Sequence, residues 1–564
     1  MAAVSPPTVF TAMAEKIMHV DRRSLIALAL LLAFVIALRL LSPSDLYDND
    51  QPTPIAHVVD VAVNGDWLMQ DDPTGKLITK PPMYPWLGAV AVKLTGRTDE
   101  WVVKLPMIAA FLVVTLIVFD LARRELGVSG GVAAAAFWAA NYHTFKLLFT
   151  ARTDMLLVMW MALALWAAER QRRRWISNLK SPIGLIALFW VGIAAGLLTK
   201  GPVALLPALW LVGAMAAHRQ WRAARPVVQI FGFLAALAIP LWWLMSVMSA
   251  YPDWFDANFT REVTERISGQ GSGSRRDTSP LAIPAYFLGR FAPWSVLFVV
   301  AAIATRNARR AAPVWALLWT LLILIFFTIP TGKRADYIVP AYVSASVLTA
   351  WLVMLSVEQQ GWFREVTRFF LGGLALAGVA AGVACWWMPV PESMQFTFLT
   401  EGLTIHDHGP MLYRILIIFC GFAGLIAGVL GLIAGQRRHY DHAALAAAFV
   451  IAAILGIYQC SFSDAAKTRG GDYVLAVAEF VKDHANGEPV ACYQISSAPV
   501  QALLGMNEPM DERALAKIAR GGVLVTSLSA WDLIAPQLED RATLLLLTPR
   551  LPSSKVELLV VRVR

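Results

Sequence analysis

Residues 24–51 read SLIALALLLAFVIALRLLSPSDLYDNDQ. The run from Ser24 to Leu41 is apolar at nearly every position and approaches the ~20 residues a helix needs to cross a hydrocarbon core. Lys16, Arg22 and Arg23 precede it, and no small-residue cleavage site follows, so the run reads as an anchor and not as a removed signal peptide. Directly after it the chain turns acidic and polar, Tyr47-Asp48-Asn49-Asp50-Gln51. Carboxylates at the mouth of a membrane span are costly unless they serve a purpose.

Working outward, the same pattern recurs along the whole chain. Of 564 residues 57% are apolar and 15% charged, with a mean hydropathy of +0.58. A soluble domain holds ~45–50% apolar and ~25% charged residues, so the excess here is buried in lipid. Twelve further apolar segments centre on 103–122, 130–149, 154–169, 183–199, 202–217, 227–249, 285–304, 313–330, 337–356, 368–388, 411–434 and 442–460. The expected fold is therefore an all-α polytopic membrane bundle of about thirteen transmembrane helices. The net charge of +9 carries no nucleic-acid reading, because basic residues hold short loops in the cytoplasm. With the N-terminus inside, the inner turns contain Arg123/Arg124, Arg170 to Arg174, Arg219 to Arg225, Arg306 to Arg310, Arg364/Arg368 and Arg437/Arg438, and each is basic. The long loops 42–102 and 250–284, the shorter 389–410 and the tail then fall outside. Four cysteines, three of them in or beside apolar runs, offer no disulfide framework or CxxC site.

After Cys460 the character changes. Short β-type runs (Pro489 to Gln494, Gly522 to Ser527, Ala542 to Leu547, Val556 to Val563) alternate with helical stretches (Asp472 to Ala485, Asp511 to Ala519). This predicts two parts: residues 1–460 as a membrane domain and 461–564 as a small α/β domain outside the cytoplasmic membrane. A Ser/Gly-rich stretch, Ser268 to Ser274, sits in the second outer loop as a plain linker or a cover over a site.

Several motifs stand in order on the outer face. Asp50 lies fifteen residues before Gly65-Asp66-Trp67, and Lys80-Pro81-Pro82-Met83-Tyr84 follows. Then come Ala151-Arg152-Thr153-Asp154-Met155, Leu198-Thr199-Lys200-Gly201-Pro202, Pro293-Trp294, and Lys333 to Pro340 with Tyr337. The set resembles the integral-membrane glycosyltransferases of GT-C fold, specifically the aminoarabinose lipid A transferases and the related dolichyl-phosphate-mannose protein mannosyltransferase superfamily. The resemblance covers most of the chain, and it implies transfer of a sugar from a polyprenyl-phosphate carrier at the outer face of the cytoplasmic membrane.

By that resemblance Asp50 is the catalytic carboxylate, able to take or polarise the proton of an attacking hydroxyl. Asp48, two residues away, is the alternative for the role, and a loop-capping aspartate is the plain one. Gln51 stands where the family often has Glu. Lys80, Lys200 and Arg266 match the family's cations at the carrier phosphate, where fixed positive charge in a partly dry cavity stabilises a leaving phosphate far more than in water. A snorkelling lysine and a charged surface helix are the plain readings of Lys200 and Arg266. Asp154 matches an aspartate that orients a cavity lysine or the substrate, against a simple ion pair; Lys333 and Tyr337 match the last motif, against an interfacial aromatic belt.

Close relatives carry Glu before Lys-Pro-Pro and His in the second outer loop, and together these hold zinc. Here the positions are Thr79 and Arg261, so no metal and no other cofactor is expected there. His57, His406 and His408 are outer-side histidines, and His406-Asp407-His408 reads as a solvated loop in preference to a ligand set. A lipid-linked sugar transporter or flippase would also carry intramembrane charge, but paired broken helices are not visible. A non-catalytic envelope scaffold would explain the topology and leave Asp50, Lys80 and Lys200 unexplained. Donor carrier and membrane lipids are the expected partners; sugar and acceptor, whether lipid, glycan or protein, are not legible.

Overall fold

The computed structural model describes residues 22–46, 50–219, 221–259, 279–306, 312–399, 403–495, 498–549 and 557–564. The first of the described helices, Arg22–Leu41, contains no Pro or Gly and buries Leu28, Leu31, Val35 and Leu38 along one stripe. Its other face is equally apolar, with Ile26 and Leu30 each 60% exposed. An apolar face turned outward marks a lipid-contacting helix. The contrast is sharpest between Pro226–Ala250, 17% buried at mean hydropathy 2.0, and the central helix Val339–Glu358, whose span is 94% buried. The chain is an integral membrane protein with that helix at its middle.

Among the described residues eight helices are long and apolar enough to cross a membrane, nine if the bent pair Ala282–Arg290 and Trp294–Ala304 forms one span. This measure falls short of thirteen, for identifiable reasons. The expected span 103–122 and the first part of 130–149 belong to one helical run, Glu100–Ala139, interrupted at Gly127, whose φ is 74°, while the rest of 130–149 contains the separate short helix Tyr142–Leu147. The run reverses at Gly127, since a Cβ on Gly131 would lie 2.9 Å from Phe119 and from Arg123. Spans 183–199 and 202–217 are likewise contiguous through a 3₁₀ turn, Gly201–Leu205. The expected span 154–169 is the first part of the helix Asp154–Ile176, which ends in Arg170, Arg172, Arg173 and Arg174. The expected span 285–304 is broken by 114° ahead of Trp294, and Val314–Thr328 is only fifteen residues long.

The tail and the 389–410 loop share one six-stranded sheet: β1 (Gln395–Phe398), β2 (Leu403–His406), β3 (Val490–Tyr493), β4 (Gly522–Ser527), β5 (Ala542–Leu547) and β6 (Leu558–Val563), in the order β2-β1-β5-β6-β4-β3. Only β3 and β4 pair in parallel. Strand alternation divides the sheet's two faces. Val523, Val525, Leu558 and Val560 join the main core with Tyr473, Val477 and Val481 of the helix Gly470–Ala485. Leu524, Leu559, Val561 and Val563 form a second core with Ala514, Trp531 and Ile534. The sequence placed the four tail strands and missed that residues 395–406 extend their sheet.

Candidate functional site

The first long loop is fixed at both ends. Gln51 is fully buried; its amide donates to the Asp45 carbonyl at 2.9 Å and accepts from the Ala151 backbone N–H at 2.9 Å. That clamp sets the neighbouring residues side by side, Asp50 against Arg152. Arg152 Nη2 lies 2.9 Å from Asp50 Oδ2, and Arg334 Nη2 approaches the same oxygen at 3.4 Å. Arg152 reaches Asp336 with its other nitrogen at 3.4 Å. Asp336 is in turn 2.9 Å from His143 Nε2, and His143 Nδ1 is 3.1 Å from the Tyr342 hydroxyl. Asp50 stays half exposed, at 48%, while His143 is buried.

A second cluster begins two residues after Arg152, at Asp154, and one residue after Asp336, at Tyr337. Asp154 opens the helix Asp154–Ile176, and its buried carboxylate accepts from Lys200 Nζ. The Lys200 ammonium also lies 5.1 Å from the centre of the Tyr337 ring, which stacks on Phe327. Lys200 ends its helix because Gly201 follows with φ 73° and ψ −148°, a backbone region open essentially to glycine alone. Trp210, ten residues on, donates to Glu169, fifteen residues beyond Asp154, so the chain doubles back at that turn and leaves Lys200 at its tip. Lys333 is buried and donates to the Pro330 carbonyl at 2.9 Å, within its own turn.

Lys80 is half-buried in a loop held by indoles: Trp254 donates to the Ile78 carbonyl, Trp243 to that of Leu68 and Trp86 to that of Trp67, at 2.6, 3.0 and 2.7 Å. Ile78 shares a small apolar cluster with Leu198, which brings the Lys80 loop against the helix that ends in Lys200. Asp48, Arg261 and Arg266 lie outside the described residues. His57 is buried and its Nε2 is 3.4 Å from the Lys76 carbonyl; burial pulls its pKa down to about 4, against the opposing pull of that carbonyl and of Asp72 and Asp60. Asp407, directly after β2, pairs with Arg469 at 2.8 Å.

Sequence reasoning missed His143 as a site member, since it carries no motif signal of its own; Asp336 lies inside the Lys333 to Pro340 motif, which by itself gives it no partner. Tertiary packing sets 143, 152 and 336 together. Beneath the loop, Asp45 pairs with Lys104 at 2.8 Å and Arg39 at 3.1 Å. Burial alone would raise the Asp45 carboxyl, but the two cations outweigh it and hold it well below the usual range.

The fold is of the GT-C type found in integral-membrane glycosyltransferases. Within that class the chain resembles the aminoarabinose-transferase type. Residues 79–244 match the family model described as dolichyl-phosphate-mannose-protein mannosyltransferase. A 363-residue stretch is 27% identical to the undecaprenyl phosphate-alpha-4-amino-4-deoxy-L-arabinose arabinosyl transferase of Shewanella sediminis, covering 60% of this chain and 62% of that protein. The enzyme of the same name from Pseudomonas aeruginosa PA14 is 28% identical over 51% of this chain and 52% of its own length. The match thus spans less than two thirds of these relatives. The crystal structure of ArnT from Cupriavidus metallidurans bound to undecaprenyl phosphate superposes with a TM-score of 0.66 at 17% identity, over 95% of this chain and 97% of that one.

Proposed function

We propose that this protein transfers a sugar from a polyprenyl-phosphate carrier to a lipid, glycan or protein acceptor at the outer face of the cytoplasmic membrane. The observation that carries the reading is the juxtaposition of a half-exposed carboxylate, Asp50, with the lysine Lys200 at the tip of a helical hairpin, through the short segments Arg152–Asp154 and Asp336–Tyr337. Transfer needs an acceptor for the hydroxyl's proton and cations for the departing phosphate, and the two clusters supply one each. Both arginines converge on Asp50 Oδ2, which orients the carboxylate and keeps its charge balanced. Lys200 has three N–H donors, and Asp154 accounts for one of them. Lys80 and Arg266 complete the phosphate subsite, and Tyr337 lines it. Thr79 and Arg261 supply no ligand set where relatives hold zinc, so leaving-group charge is neutralised by protein cations alone. The names of the relatives support an undecaprenyl-type carrier.

The reading goes with a thirteen-span topology, the N-terminus in the cytoplasm and residues 461–564 as an extracytoplasmic domain. Asp50→Asn removes a proton acceptor at almost constant volume. With a polyprenyl-phosphate sugar as donor it should lower turnover by ~10²–10⁴-fold while carrier binding persists. Near-full turnover in Asp50→Asn with loss in Asp48→Asn would shift the role to Asp48.

A further inference from the structure

The helix Tyr440–Ser461 begins at the far end of the molecule from Asp50. Its last residues lie by the site, where Tyr458 packs edge-on against Tyr142, and 22 helical residues span about 33 Å. At the remote end the turn reads His439-Tyr440-Asp441-His442. His439 immediately precedes the helix and its carbonyl accepts from Ala443 N at 2.9 Å, so His439 and His442 stand one turn apart on one face. Their rings are 5.6 Å apart between centroids and inclined by 32°. A ring nitrogen of each histidine and a carboxylate oxygen of Asp441 all lie within 4.8 Å of one another. Tyr440 points the other way into the core, buried and capped by the Arg364 guanidinium at 5.7 Å, which fixes the turn that presents the three groups.

We propose that His439, Asp441 and His442 form a surface site for a borderline divalent transition metal, with Zn²⁺ as its expected occupant. Two imidazoles and one carboxylate supply three of the four ligands of a tetrahedral zinc ion, and water completes the set. Two forces oppose it. The helix N-terminus and the adjacent Arg437 and Arg438 both disfavour a cation, but at an exposed position such effects are weak and screened by solvent. Direct coordination by three ligands already gathered outweighs them. The exposure of both histidines leaves the metal open to solvent and exchangeable.

The test uses the full-length protein in detergent, dialysed to equilibrium against micromolar Zn²⁺, with bound metal counted by mass spectrometry. Wild type should retain one more equivalent than the His439→Ala/His442→Ala double variant. Co²⁺ added to wild type should give a visible absorption band for tetrahedral coordination that the double variant lacks. Thermal melting of the two apo proteins confirms that the variant is folded. Sugar-transfer turnover should be equal in both, since neither histidine touches the Asp50 cluster, so this site stands or falls apart from the proposed reaction. Equal zinc stoichiometry in both proteins, or a cobalt band unchanged by the double substitution, would overturn it.

Discussion

Lys200 and His57 are both ionisable groups placed beside the membrane, and they are engaged differently. Lys200 Nζ pairs with Asp154 and lies over the face of Tyr337, with donors left for a further anionic oxygen. Lys200→Met should therefore cut turnover by ~10²–10³-fold, the loss seen on removing one fixed electrostatic donor, with a smaller effect for Arg261→Ala. Chelators should leave wild-type turnover intact; steady-state rates before and after metal depletion check this, and rescue by zinc would refute the metal-free reading. His57 is instead stored neutral under the loop. Its pKa is about 6.5 when unfolded and about 4 when folded, so its stabilising contribution is complete above pH 6.5 and is lost as pH falls towards 4. A shift of that size corresponds to about 3 kcal/mol. His57→Gln can still donate to the Lys76 carbonyl but cannot titrate; the drop in melting temperature between pH 7.5 and 4.5 should be smaller in the variant than in wild type.

At the scale of elements, the reversal at Gly201 places Lys200. A side chain there meets no neighbour, so Gly201→Ala tests backbone conformation alone. Forcing alanine to φ 73°, ψ −148° should cost about 1–3 kcal/mol and displace Lys200, lowering turnover more than stability alone predicts. Gly213→Ala, within the next helix and also in open space, is the control and should be neutral or slightly stabilising. Gly201 was legible in the sequence only as part of a motif; its role is a backbone angle, which no composition or period displays. The apolar runs were legible because lipid demands them over ~20 residues, and the tail strands because short β-type runs alternate there with helical stretches. Two features were not legible. Interruptions at Gly127, Gly201 and Arg290–Trp294 leave the local hydropathy high while changing the helix path, so counting apolar runs and counting long helices give different numbers. Partners such as His143 and Asp336 meet across nearly two hundred residues, beyond any local pattern.

At the scale of the whole molecule, the tail is wired to the membrane helices through charge as well as through the shared core. Asp472, in the first turn of the helix Gly470–Ala485, accepts from the Ser44 backbone at 2.8 Å, from the Tyr413 hydroxyl at 2.6 Å and from Arg469 at 2.9 Å. Arg469 continues to Asp407 at the end of the β1–β2 hairpin, while Ser44 continues to Glu100 and Lys104, and so to Asp45. Asp45 accepts at its carbonyl from Gln51, the residue that positions Asp50. The tail thus reaches the candidate site through one unbroken run of buried and part-buried polar contacts. Asp472→Ala leaves Arg469 with Asp407 and the Glu392 carbonyl as its partners and strips Ser44 and Tyr413 of their acceptor. Because Asp407 still faces Arg469, the main loss is of buried acceptors, about 1–3 kcal/mol for each donor left unsatisfied. The expected result is a lower melting temperature and faster proteolysis between residues 461 and 564, with turnover falling in parallel because the loop that carries Asp50 loses its anchor. A variant that melted early yet kept full turnover would show that the tail is docked by Asp472 but plays no part in holding Asp50.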